Sequence, residues 1–155
     1  MNLAANLLLP GQNLPYAHVI QAWDSRTGLF LPAFPKSTDD YTLLSQPAVA
    51  DVGSAIPGVA DGIPEIVTGT GLYLLHAYNQ LGLEPAGWPK LMGGWIYGTP
   101  AIGDIDGDGK VEVVASTREG YVFVYDTPGA ARTNTQWWTF HHDEWNSGNA
   151  KVDPR

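Results

Sequence analysis

The chain contains no cysteine, which excludes disulfides, thiolate metal sites and a cysteine nucleophile. It leaves the compartment open, because exported bacterial proteins also do without cysteine. Cations are scarce: eight Lys and Arg stand against sixteen Asp and Glu, for a net charge of −8. A phosphate-binding surface needs clustered Lys and Arg, so nucleic-acid binding is excluded, whereas cation binding suits this balance. No run approaches the ~20 apolar residues that span a bilayer. The stretch Met1 to Pro10 carries Leu7-Leu8-Leu9 but neither a basic flank nor a small-residue cleavage site, so it does not read as a signal peptide. Helical periodicity of three or more turns is also missing.

What is present is 44% hydrophobic and 11% aromatic residues, with 18 Gly and 12 Pro in 155 positions. This composition predicts many short strands joined by tight turns, hence an all-β chain long enough to bury a core. Internal similarity points the same way. Gln46-Pro47-Ala48-Val49-Ala50-Asp51-Val52 matches Thr99-Pro100-Ala101-Ile102-Gly103-Asp104-Ile105. Further on, Pro64-Glu65-Ile66-Val67 matches Val111-Glu112-Val113-Val114, and Leu74 to Asn79 matches Val122 to Asp126, the earlier copy carrying the longer loop. A partial copy precedes both: His18 to Asp24 is similar to the strand ending Ala77-Tyr78-Asn79, and Ala33-Phe34-Pro35-Lys36 to Gly87-Trp88-Pro89-Lys90. Each unit reads as four short strands separated by Gly, Asp, Asn and Pro turns. The run Tyr121-Val122-Phe123-Val124-Tyr125 is apolar on both faces, as expected of a strand packed between sheets. Gln136-Trp137-Trp138-Thr139-Phe140 can supply a last strand, followed by a polar tail.

The segment Thr99-Pro100-Ala101-Ile102-Gly103-Asp104-Ile105-Asp106-Gly107-Asp108-Gly109-Lys110-Val111-Glu112-Val113-Val114 resembles the FG-GAP repeat family, the calcium-loop β-propeller repeats of integrin alpha subunits and many secreted bacterial proteins. The likeness runs from about Val19 to Gly148, with Trp138 to Asp143 and Asn146-Ser147-Gly148 similar to the tail that often follows such repeats. The resemblance implies four-stranded antiparallel blades of an incomplete β-propeller. Their expected bounds are a lead-in at 1–17, a partial blade at 18–45, a full blade at 46–98, a blade with the calcium loop and closing strand at 99–148, and a flexible tail at 149–155. Propellers close with ~4 to 8 blades, so two to three imply a fragment, or a subunit completed by other chains at its open edges.

Alternate carboxylates on a tight turn bring Asp104, Asp106 and Asp108 toward one centre. Gly109 permits the turn that carries the Lys110 carbonyl and Glu112 to the other side. Calcium takes six to eight hard oxygen ligands at flexible distances, so these five residues are the expected Ca2+ set, with the Lys110 side chain pointing outward. The helical calcium hand is the competing interpretation of Asp-x-Asp-x-Asp-Gly, but it needs flanking helices and a Glu at its twelfth position, which here is Ala115. The matching loop over 51–65 keeps Asp51, Asp61 and Glu65 but replaces the middle acids with Gly53 and a Pro57-containing insertion, too few ligands for the ion. Asp24 reads as a turn residue.

Other candidates read as structure. His141-His142-Asp143-Glu144 is a polar turn, since neighbouring side chains on a strand point to opposite faces. His76 is a strand residue with a satisfied ring nitrogen, and His18 has no matching partner. Glu112 with Glu119 does not rise above a background of carboxylates, and no nucleophile elbow, zinc helix, Walker or dinucleotide loop is present. Trp23, Trp88 and Trp138 are expected to pack between blades, while Trp95 and Trp145 fall in loops suited to contacting a sugar or partner. No enzyme site is indicated. The expectation is a non-enzymatic, calcium-stabilised, extracytoplasmic segment mediating protein or glycan interaction or assembly. The alternatives are an accessory segment of a larger secreted polysaccharide-active enzyme or protease, and a subunit polymerising through open edges.

Overall fold

The computed structural model describes residues 18–42, 45–133, 137–143 and 145–149. The lead-in at 1–17, Gln136, Glu144 and residues 150–155 lie outside the described residues.

The described chain is all-β. Its first sheet pairs β1 (Val19–Ile20) with β2 (Lys36–Ser37). Between them Asp24 Oδ1 accepts the Arg26 and Thr27 N–H groups at 2.8 and 3.2 Å, and Gly28 closes the turn onto the Asp24 carbonyl. Asp24 is thus the turn residue its position predicts. A second sheet runs β3 (Ala48–Ala50), β4 (Glu65–Gly69), β5 (Leu74–Tyr78) and β6 (Lys90–Leu91), each antiparallel to the next. The third holds β7 (Ala101–Gly103), β8 (Lys110–Ser116) and β9 (Val122–Ala130), with a register shift between Lys110 and Glu112. A 3-10 turn, Ala131–Thr133, follows.

The expected propeller is corrected by this arrangement. The sheets have two, four and three strands and stand separately, and none closes or curls as a propeller blade must. The connections explain why. The first sheet spends residues 21–35 on turns and one isolated Trp23–Phe30 bridge. After β9 the chain enters the 3-10 turn instead of returning as a fourth strand. Trp137 then bonds to Val49 of β3, with N···O distances of 2.6 and 3.0 Å, and the Ile102 amide of β7 donates to the Trp138 carbonyl at 2.7 Å. The expected closing strand is therefore a strap across two sheets.

One apolar cluster joins the second and third sheets: Ala48, Ala50, Val52, Val67, Leu75 and Ala77 meet Ile102, Val111, Val113 and Ala115, with Met92 and Ile96 between. Ile96 packs so closely on Gly69 that a Cβ there would collide with its side chain. This explains a glycine at the end of an otherwise substituted strand. Along β9 only one face is covered. Phe123 and Tyr125 pack on the core, whereas Val122 and Val124, on the opposite face, are exposed. The two-sided packing expected of this run does not occur. Trp88 and Trp138 pack on the core, but Trp23 is 54% exposed and stacks on Phe30, centroids 5.2 Å apart. Trp23 is a surface turn residue.

Candidate metal centre

The loop joining β7 to β8 is built by its own side chains. Asp104 accepts two backbone N–H groups, Gly107 on Oδ1 at 2.7 Å and Gly109 on Oδ2 at 3.0 Å. Asp106 Oδ1 accepts the Asp108 N–H at 3.0 Å, and Asp108 Oδ1 accepts that of Lys110 at 2.8 Å. Each is a carboxylate capping a backbone donor a few residues on, which folds the strand exit back on itself. Gly107 and Gly109 have φ of 83° and 86°, a region that side chains with a Cβ avoid.

The result gathers Asp104, Asp106 and Asp108 at the surface, each offering one carboxylate oxygen within 4.8 Å of the others. The other two residues of the expected set sit differently. Glu112 is 3% exposed, and its Oε2 accepts the Ile105 N–H at 2.8 Å, so its carboxylate braces the loop from beneath. Lys110 does not point away as expected: its Nζ lies 3.4 Å from Asp108 Oδ2. With more than half of the lysine side chain exposed, this pair adds little stability by itself. It does place a cation where the acids need one. The donor set of three hard carboxylates can chelate a divalent ion.

The loop between β3 and β4 repeats the scaffold without the cluster. Glu65 Oε2 accepts the Val52 N–H at 2.9 Å, as Glu112 does for Ile105. Asp51 accepts from Gly53 and Gly62 as Asp104 does from two glycines, and Asp61 Oδ1 accepts the Ile63 N–H at 2.9 Å. The strand registers agree as well, Ala50 opposite Glu65 and Gly103 opposite Glu112. Burial of Glu65 disfavours its charged form and outweighs the Val52 hydrogen bond. With Asp51 and Asp61 repelling it further, its pKa rises to about 7.

Two buried polar groups have more partners than the sequence suggests. His76 uses both ring nitrogens, Nε2 to Asp39 and Nδ1 to Glu84, each at 2.8 Å, while Thr70 Oγ1 donates to Asp39. Burial would lower the imidazole pKa, but the two carboxylates outweigh it and hold the group above its ordinary value. A lone histidine in the otherwise apolar strand Leu74 to Tyr78 was the available signal, since a buried ring must find partners. His142 and Asp143 are both about 1% exposed. Asp143 accepts from the Ser147 hydroxyl and amide, from His142 Nδ1 and from the Trp145 amide, which holds its carboxyl at about 2. The His142 ring lies against Trp137 and Trp138, centroids 5.1 and 5.0 Å away. The expected polar turn is instead a buried knot anchoring the strap. Of the loop tryptophans, Trp145 is 61% exposed, and Trp95 lies under the Arg118 guanidinium.

No protein-family model matches the chain, and no curated protein matches it either. With separate, unequal sheets and no family match, identity with FG-GAP propeller repeats does not hold, and an interaction role resting on a propeller goes with it. Among the described residues, no helix is long and apolar enough to cross a membrane.

Proposed function

We propose that residues 104–112 hold a calcium ion whose role is structural, in an all-β domain that is non-enzymatic and works outside the cytoplasm. The observation that carries this reading is the convergence of Asp104, Asp106 and Asp108 carboxylate oxygens on one exposed point. Three carboxylates with no nitrogen or sulfur donor form a hard, oxygen-only set, and their place on a pliable turn suits an ion that accepts six to eight ligands at variable distance. Waters and loop carbonyls would complete the shell. Magnesium demands near-ideal octahedral geometry and dehydrates reluctantly, which fits such a loop less well.

A stabilising role is supported by how the donors are tied. Each Asp already caps backbone of its own loop, so an ion drawn to them locks the β7–β8 hairpin. The exposed position suits a compartment where calcium is millimolar, because even a weak site fills there. Isothermal titration calorimetry with calcium and magnesium, paired with thermal melts in calcium and in chelator, tests the reading. One calcium bound per chain and a melting temperature lowered by chelator are expected. No calcium heat and an unchanged melt would overturn it.

A further inference from the structure

A cavity of about 380 Å³ lies between the β3–β4 loop, β6, the start of β8 and β9; its walls include Gly53, Trp88, Lys90, Lys110 and Asp126. We infer that this cavity is a binding site for a sugar ring bearing a carboxylate, with Lys90 as the anion-binding group.

The inference rests on charge and shape. The chain is strongly acidic overall, yet two of its eight cationic side chains line this one cavity, Lys110 with its ammonium paired to Asp108 and Lys90 with its charge uncommitted. Lys90 is half-buried and has no ion pair among the described residues; its Nζ lies 5.4 Å from the Trp88 ring centroid and 5.6 Å from that of Tyr125. Two aromatic rings hold the ammonium in place without neutralising it. The acid on the wall, Asp126, forms no ion pair with either lysine, which leaves it free to accept hydroxyl hydrogen bonds. The volume falls at the small end of the ~300–1,000 Å³ range of ligand pockets. A carboxylate for Lys90, hydroxyls for Asp126 and an apolar ring face for Trp88 are the complement of these walls. Lys36 supplies a contrast: its Nζ sits 5.2 Å from the Tyr78 ring centroid in the same manner, but it does not line this cavity.

The experiment titrates the full chain with a galacturonate disaccharide and, separately, with the neutral disaccharide cellobiose, followed by calorimetry and by amide chemical shifts. Saturable binding of the acidic sugar is expected, with shifts centred on Trp88, Lys90 and Asp126 and negligible binding of cellobiose. Lys90→Gln should weaken binding about tenfold, the loss of one charge-assisted contact, while Lys36→Gln leaves it unchanged. If Lys90→Gln misfolds, the wild-type shift map alone decides. Absence of saturable binding, equal binding of the neutral sugar, shifts centred elsewhere, or equal losses in the two lysine variants would each overturn the assignment.

Discussion

The loops over 51–65 and 104–112 share their supports and differ in their acids. In both, a buried glutamate from the second strand accepts an amide at the exit of the first, and an aspartate caps glycine N–H groups across the turn. Only the later loop adds Asp106, and only there do three carboxylates meet. Hairpin scaffold and cation site are therefore separable. The glutamate and the first aspartate support the turn in both loops, while Asp106 adds a cap on the Asp108 amide and the third carboxylate of the cluster.

The largest difference between the loops is expected from Asp106→Asn. Asparagine Oδ1 still accepts the Asp108 amide, so the hairpin survives, but the calcium-dependent part of stability should vanish. With calcium at a hundred times its dissociation constant, that part amounts to about 2.7 kcal/mol, read as the gap between melts in calcium and in chelator. Asp61→Asn should leave the gap intact, and a loss there would show that the earlier loop binds the ion as well.

The shared supports are tested next. Glu65→Ala should cost about 2 kcal/mol in urea unfolding, because it strands the fully buried Val52 amide. Glu112→Ala should cost about 1 kcal/mol without calcium, since Ile105 is largely exposed and water can reach its amide. Equal costs would mean that water reaches the Val52 and Ile105 amides equally once the glutamates are gone.

A smaller effect separates the loops by pH. Between pH 4.5 and about 7 the native state holds a proton on Glu65 that the unfolded chain has released, so stability falls as pH rises through that window. Glu65→Gln should flatten this slope and raise stability at pH 8 by about 1 kcal/mol, once the partial solvent screening of the site is allowed for. Denaturant midpoints at pH 5 and pH 8 measure it. The slightest effect is expected at His76. Its raised pKa means that its contribution is complete below about pH 6.5 and is lost as pH rises through the folded value. An imidazole titration by NMR should therefore show a midpoint above the ordinary histidine range, and Asp39→Asn should bring it down.

Strand positions were legible because alternation and turn residues are local. Pro47 to Val52, Glu65 to Val67 and Val122 to Tyr125 all fall on or beside observed strands. The acidic loop was legible because its spacing alone brings the carboxylates together. Sheet assembly was not, since four-residue signals do not say whether a chain leaving β9 returns to pair with it or crosses to Val49. The same holds for His142 and Asp143, whose polar sequence gives no hint that Trp137 and Trp138 cover them. Burial there is a property of the strap, which only the tertiary fold creates.

The strap also sets an order of events during synthesis. Each hairpin is complete within its own stretch of chain and can form as it leaves the ribosome, but Trp137 and Trp138, which bond to β3 and β7 together, emerge after both. Until they do, the inner edges of β3 and β7 have no backbone partner from the strap. A nascent chain stalled before Trp137 should thus expose two ready-made sheet edges to any neighbouring polypeptide.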